Sequence, residues 1–244
     1  MSAAHPVGTR ADTIASILRD EILSGQYRAG ERLPSERDLV ERFQVSRGAV
    51  REALKQLQQL GIASIQPGGA RVVPIAECTL DVLGPLLDLN EIPDPKLVDE
   101  ALHMFGVLMQ EAATAAVEKA TDEEVAEAEA IINEILSCAD DPARQFEAVR
   151  KLAQFYVVVA DHLVLRLMVN GVRTTFFDRM GVDNPITRLG PDELAIPIKR
   201  IRTALVQRNS IELGSAMRAL NRLFRDGARR ALQAAPGHEI RKSE

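Results

Sequence analysis

The sequence predicts a mainly α chain in two parts: three short helices closed by a small β-hairpin, then an all-α antiparallel helical bundle. Three observations predict it. Apolar residues recur at helical spacing through residues 11–60 and again through 95–232, while two β-prone runs flank Pro67-Gly68-Gly69. Helix starts are written as a hydroxyl followed three residues later by an acid, Ser35/Asp38 and Thr121/Glu124. Charge is also divided unevenly. Residues 1–75 carry 10 Lys+Arg and 8 Asp+Glu, and residues 76–244 carry 20 and 27, so +2 and −7 sum to the net −5. A weakly basic head, nine of whose ten cations are Arg, precedes an acidic body.

Taken in order, the first helix runs from Ala11 to Leu23, with Ile14, Ile17, Leu18 and Ile22 on its apolar face, and Ser24-Gly25 ends it. Residues 26–33 form a connector around Gly30, leading into Pro34. The second helix starts at Ser35 and turns Leu39, Val40 and Phe43 inward. Gln44-Val45 makes a tight turn, and Ser46 caps a third helix whose core positions are Val50, Leu54 and Leu57. Gly61 stops it, and the following hairpin reads as the wing of a winged helix-turn-helix. Residues 76–94 read as a linker with a short helix near Thr79–Leu89. Six helices then follow: Pro95–Ala120, Asp122–Leu136, Pro142–His162, Leu163–Met180, Pro191–Val206 and Ile211–Leu232, the last capped by Ser210, with a loop over 181–190. The expected divisions are 1–75 for the head, 76–94 for the linker, 95–235 for an effector-binding and dimerisation domain, and 236–244 for a disordered tail.

Several classes are excluded. No apolar run approaches membrane-spanning length, and the first residues lack a signal-peptide core. Cys78 and Cys138 form neither a disulfide framework nor a CxxC pair, so a cytoplasmic bacterial protein beside the nucleoid is expected. No P-loop, no GxGxxG after a strand and no Ser/His/Asp grouping is present, so no enzyme is expected and no catalytic residue is assigned.

The third helix carries the most specific chemistry. With Arg47 at 0°, Arg51 falls at about 40°, Gln58 at about 20° and Lys55 at about 80°. Val50, Leu54 and Leu57 cluster between about 280° and 340°. A polar stripe therefore flanks the core stripe, with its guanidinium groups in the first turns, where a recognition helix enters the major groove. Arg matches the O6/N7 edge of guanine bidentately. Ser46 at the cap is placed to meet a phosphate, Arg37 lies in the first turn of the second helix, and Gly68 and Gly69 let the wing backbone come close to DNA. The candidate DNA-binding set is Arg37, Ser46, Arg47, Arg51, Gly68 and Gly69.

The stretch GERL (30–33), then PSERDLVERFQVSRGAVREALKQLQQLGI, then the glycine-tipped wing ending in Arg71-Val72-Val73, resembles the winged-helix domain of GntR-type bacterial transcription regulators. The resemblance places Arg37, Arg47 and Arg51 on base- and phosphate-contacting positions, with Ser46 and Gly68 assisting. Pro67 departs from it, standing where relatives often carry His. Residues 98–121, 157–172 and 198–220 resemble more loosely the FCD-type effector domain of the FadR subfamily. That resemblance implies a helical bundle holding a ligand, a homodimer, and operator DNA as partner.

Most such domains are similar in holding a metal through an Asp and three His. Aligned on Asn170-Gly171, the His positions fall at Ala153 and near Ile198 and Leu220, which offer no lone pair, so no metal is expected. Asp99, His103 and His162 are the only residues that could form a relocated site. The family's Arg in the first bundle helix is replaced by Phe105. With Met109, Phe155, Tyr156, Phe176 and Phe177, it forms the candidate effector-binding set. An apolar lining suggests a fatty acyl-CoA as effector, with no tightly bound cofactor. Two alternatives stand beside this: a regulator of the same class sensing a small organic or sugar acid, and a helical interaction protein without specific DNA binding.

Overall fold

The computed structural model describes residues 9–138, 140–178 and 191–234. The chain divides into two compact units, Met1–Glu91 and Ile92–Glu244. The first holds α1 (Arg10–Leu23), α2 (Glu36–Phe43), α3 (Arg47–Gln59), β1 (Ala63–Gln66), β2 (Gly69–Val72) and α4 (Leu83–Asp88). The second holds α5 (Pro95–Lys119), α6 (Asp122–Ser137), α7 (Pro142–Val159), α8 (Leu163–Val172), α9 (Pro191–Val206) and α10 (Ser210–Ala234). The architecture is a winged helix-turn-helix followed by a larger all-α bundle, as the sequence predicts.

Local chemistry sets the head. Ser35 and Asp38 form a reciprocal capping box at the start of α2, and the Ser35 hydroxyl and backbone N–H hold the Asp38 carboxyl below the usual carboxylate range. Gln44 ends α2 in the left-handed region at φ 54°, which turns the chain sharply into Ser46. The Ser46 hydroxyl accepts from the Ala49 N–H at 3.3 Å and starts α3. Ile14, Leu18, Ile22, Leu39, Val50, Leu54 and Leu57 are buried together in one core. Ile17, expected on that face, is 38% exposed, because its position one turn off Leu18 looks out from the core. The Arg42 guanidinium pairs with Glu21 and lies over the Phe43 ring at 4.7 Å, tying α2 to α1 and holding the Glu21 carboxyl below its usual range.

The wing pairs antiparallel from Ala63↔Val72 to Gln66↔Gly69. It gains a third edge from the GERL segment. Gly30 donates to the Val72 carbonyl, Leu33 donates to the Ala70 carbonyl, and Val72 donates to the Glu31 carbonyl, each at 2.9 Å. The connector read from the sequence is therefore part of the wing. Residues 79–89 also do more than link: Val82 belongs to the head's core, and Leu86 and Leu89 pack against it.

In the second unit α5 packs along α10, α7 lies on α5 and on α6, α9 bridges α10 and α6, and α8 rests on α5. Thr121 and Glu124 form the expected capping box on α6. Three local readings are corrected. The α7–α8 break comes at Ala160–His162, where Asp161 takes φ 46°, rather than after His162. Asn209, not Ser210, caps α10: its side-chain oxygen accepts from the Glu212 N–H at 3.0 Å. The helix expected to run from Leu163 to Met180 changes at Arg173 into a π-helical turn ending at Phe177. The predicted 181–190 loop and the 236–244 tail lie outside the described residues.

Candidate nucleic-acid interface and bundle cavity

All six predicted DNA-contacting residues are exposed: Arg37 on α2, Ser46, Arg47 and Arg51 on α3, and Gly68 and Gly69 at the wing tip. They belong to a rigid frame, because α3 is fixed on one side by the Val50–Leu54–Leu57 core and at its start by the Ser46 cap. The cap leaves the Ser46 hydroxyl hydrogen free to donate, since its oxygen is used as acceptor. Arg51 does not extend into solvent alone. Its Nε donates to both Glu36 carboxylate oxygens at 3.0 and 3.1 Å, which sets it beside the first turn of α2, where Arg37 follows Glu36. Both partners are well exposed, so this pair is weak and easily exchanged for another anion.

At the wing, Gly68 and Gly69 take φ of 105° and 126°, a region costly for residues with a side chain. A Cβ on Gly69 would also come within 3.0 Å of the Arg32 guanidinium, so Arg32 lies across the wing tip. Arg71 donates to the Gly30 carbonyl at 3.0 Å and pairs as a bridge with Arg32. Sequence reasoning missed Arg32 and Arg71 as candidate phosphate contacts. Their signal was present: two Arg on segments that the Gly30 and Gly68-Gly69 bends bring together.

The bundle rearranges the second candidate set. Phe105, Met109 and Tyr156 line a cavity of about 90 Å³ between α5, α7, α9 and α10. Phe155 packs edge-on against Tyr156 at 5.8 Å but does not line it. Phe176 and Phe177 are likewise outside the lining: Phe177 stacks on Phe105 at 4.4 Å and meets Phe176 edge-on at 4.9 Å. These three residues are therefore corrected from lining to packing. The lining instead includes Ala153, Ile198 and Leu220, the positions where the resemblance would place imidazoles, together with Asn221.

Asp99, His103 and His162 do not converge. Arg225 holds Asp99 through two hydrogen bonds, at 2.9 and 2.6 Å, and approaches His103 Nδ1 at 3.3 Å; the same guanidinium keeps the Asp99 carboxyl below its usual range. His162 caps α8, its Nδ1 accepting from the Leu165 N–H at 3.3 Å. Among the described residues no group of three or more His, Cys, Asp or Glu side chains is placed to hold a metal. Ala, Ile and Leu at the three lining positions give a divalent ion nothing to bind, so the cavity does not fit one.

Residues 10–73 match the family described as bacterial regulatory proteins, gntR family. The HTH-type transcriptional regulator Mce2R of Mycobacterium tuberculosis is 31% identical over 181 residues, covering 71% of this chain and 74% of that protein. The chain belongs to the GntR family of HTH-type transcriptional regulators. The HTH-type transcriptional regulator Rv0494 of the same species is 37% identical over 92 residues, and there the match spans only 38% of the relative. The galactonate operon transcriptional repressor of Escherichia coli is 29% identical over 136 residues, 54% of this chain and 58% of that one. Among solved structures, that of Lar, which controls the Listeria monocytogenes agr system, aligns over 93% of this chain and 99% of its own with a TM-score of 0.55 and 16% identity, a likeness of fold. As a GntR-family transcriptional regulator the chain is a DNA-binding protein rather than an enzyme. No described helix is long and apolar enough to cross a membrane.

Proposed function

We propose that this GntR-family regulator binds a twofold-symmetric operator as a homodimer, reading bases with Arg47 and Arg51 and positioning itself on phosphates with Arg37, Ser46 and the wing. The observation that carries the reading is the exposed edge of α2 and α3, where the Arg51–Glu36 pair sets Arg51 beside the turn that holds Arg37. A dimer would present two α3 helices about 34 Å apart, one helical turn of DNA. The second copy finds a candidate surface on α8, where Leu163 is 68% and Leu167 60% exposed beside Val164 and Met168.

The FadR-type, FCD-like reading of the bundle is kept as part of this proposal: a ligand held among α5, α7, α9 and α10 shifts the balance between DNA-competent and incompetent states by its difference in affinity for them. For the effector, a small organic acid is better supported than a fatty acyl-CoA. One relative is named for the galactonate operon. A cavity of about 90 Å³ also falls well short of the roughly 300 Å³ or more usual for larger ligands.

The test is fluorescence anisotropy on a palindromic operator selected from random DNA, over a range of salt. Specific binding whose affinity falls steeply with salt is the expected result. Absence of specific DNA binding would favour the helical interaction protein instead. Light scattering on the same sample reads the dimer.

A further inference from the structure

The cavity's lining is unusual for a site that must hold an acid. Of the side chains around it, among the described residues, only Tyr156 and Asn221 are polar, and none is charged. Tyr156 is 1% exposed, and its hydroxyl is enclosed without a hydrogen-bond partner. Leaving such a group unpaired costs about 1–3 kcal/mol, so an unmet hydroxyl beside a cavity is the mark of an absent partner. Burial pushes the phenol well above its ordinary range, so it stays protonated and able to donate.

Asn221 reaches the wall by a specific arrangement. A Cβ on Gly106 would come within 2.0 Å of the Asn221 side chain, so α5 carries glycine where α10 projects its amide. Phe105, Met109, Ile198 and Leu220 make up much of the rest of the wall. Hydroxyls of a sugar acid would face these groups unpaired, and a carboxylate would find no cation. At about 15 Å³ per water-sized group, the space admits about six non-hydrogen atoms.

We infer that the bundle cavity binds a small organic molecule with an apolar body and one uncharged hydrogen-bonding head, which the Tyr156 hydroxyl and the Asn221 amide receive. The inference rests on the proposal that this cavity is the effector site, and it narrows that proposal's ligand. A short acid would enter as the neutral carboxylic acid, and an alcohol or phenol as it is. The cavity that replaces the family's metal centre thus selects against charge.

Calorimetry with the full-length protein tests it, using cyclohexanol, phenol, pentanoic acid, galactonate and octanoyl-CoA as probes. Cyclohexanol or phenol should bind. Pentanoic acid should weaken about tenfold per pH unit above its own pKa, because only its neutral form enters. Tyr156→Phe should weaken binding about tenfold, the loss of one hydrogen bond. The same variant should melt higher than the wild type without ligand, because it removes an unpaired buried hydroxyl; a purely structural hydroxyl would give the opposite shift. Gly106→Ala, which displaces Asn221, should also weaken binding. Tight galactonate or octanoyl-CoA binding, no binding by any neutral probe, or Tyr156→Phe leaving affinity unchanged overturns the inference. Operator affinity measured without ligand separates the two readings: its loss strikes the DNA-binding proposal, whereas its retention beside a silent cavity strikes this one alone.

Discussion

In the head, the candidate contacts stand outside a packed core; in the bundle, the candidate site is a gap within the packing. Arg37, Arg47 and Arg51 project from helices whose buried faces are a few residues away in the same segments. Tyr156, Ile198 and Asn221 meet only because α7, α9 and α10 pack together. Function and stability are therefore separable in the head and entangled in the bundle. A surface contact can be removed without disturbing the core, whereas a cavity wall is core.

The largest test of that contrast is Leu39→Ala. Leu39 is fully buried, so the change should cost about 2–5 kcal/mol of stability in thermal or urea melts and lower DNA binding only through the unfolded fraction. Arg47→Ala should do the reverse: operator affinity falls by roughly 1–3 kcal/mol with relaxed base preference, while the melting temperature stays put. If specific binding survived that change, the assignment of α3 as the reading helix would be wrong. Ser35→Ala removes the cap shared with Asp38 and should cost about 1 kcal/mol of stability, intermediate between the two kinds of effect.

Smaller effects sharpen the comparison further. Glu36→Gln frees Arg51 and removes a like-charged neighbour of DNA, so operator binding should tighten by up to about 1 kcal/mol, most visibly at low salt. The smallest concerns the bundle alone. The Asp99 carboxyl is held below its usual range by Arg225, so its contribution is present above the ordinary carboxylate pKa and is lost as pH falls through the lower folded value. Asp99→Asn should therefore flatten the acid side of the stability–pH curve and leave its neutral and basic sides parallel to wild type. An unchanged acid limb would show that the Arg225 pair contributes nothing measurable.

Legibility followed the same division. Ser35 and Asp38, Gln44 and Ser46, and Thr121 and Glu124 act on backbone groups within three or four residues, so their roles were written locally. The α10 cap was misplaced by one residue because Asn209 and Ser210 are both competent caps and only the chain's path decides between them. Phe155, Phe176 and Phe177 were grouped with Phe105 and Tyr156 because all are aromatic and near in sequence; which of them faces the gap depends on helix rotation and on the π-helical turn at Arg173–Phe177. Arg32 and Arg71 were overlooked because the bridge that joins them spans 39 residues of chain.

By itself the sequence determined the class of fold, the reading helix with its arginines, and the absence of imidazole at the positions a metal would need. Those properties depend on periodicity, short-range capping and residue identity, all of which are local. Only the tertiary structure decided that Glu36 holds Arg51, that the GERL segment completes the wing, and that Tyr156 stands unpaired beside an apolar cavity with Asn221. Each of those arises where segments distant in sequence meet, and packing, not spacing along the chain, sets which side chains find a partner and which are left without one.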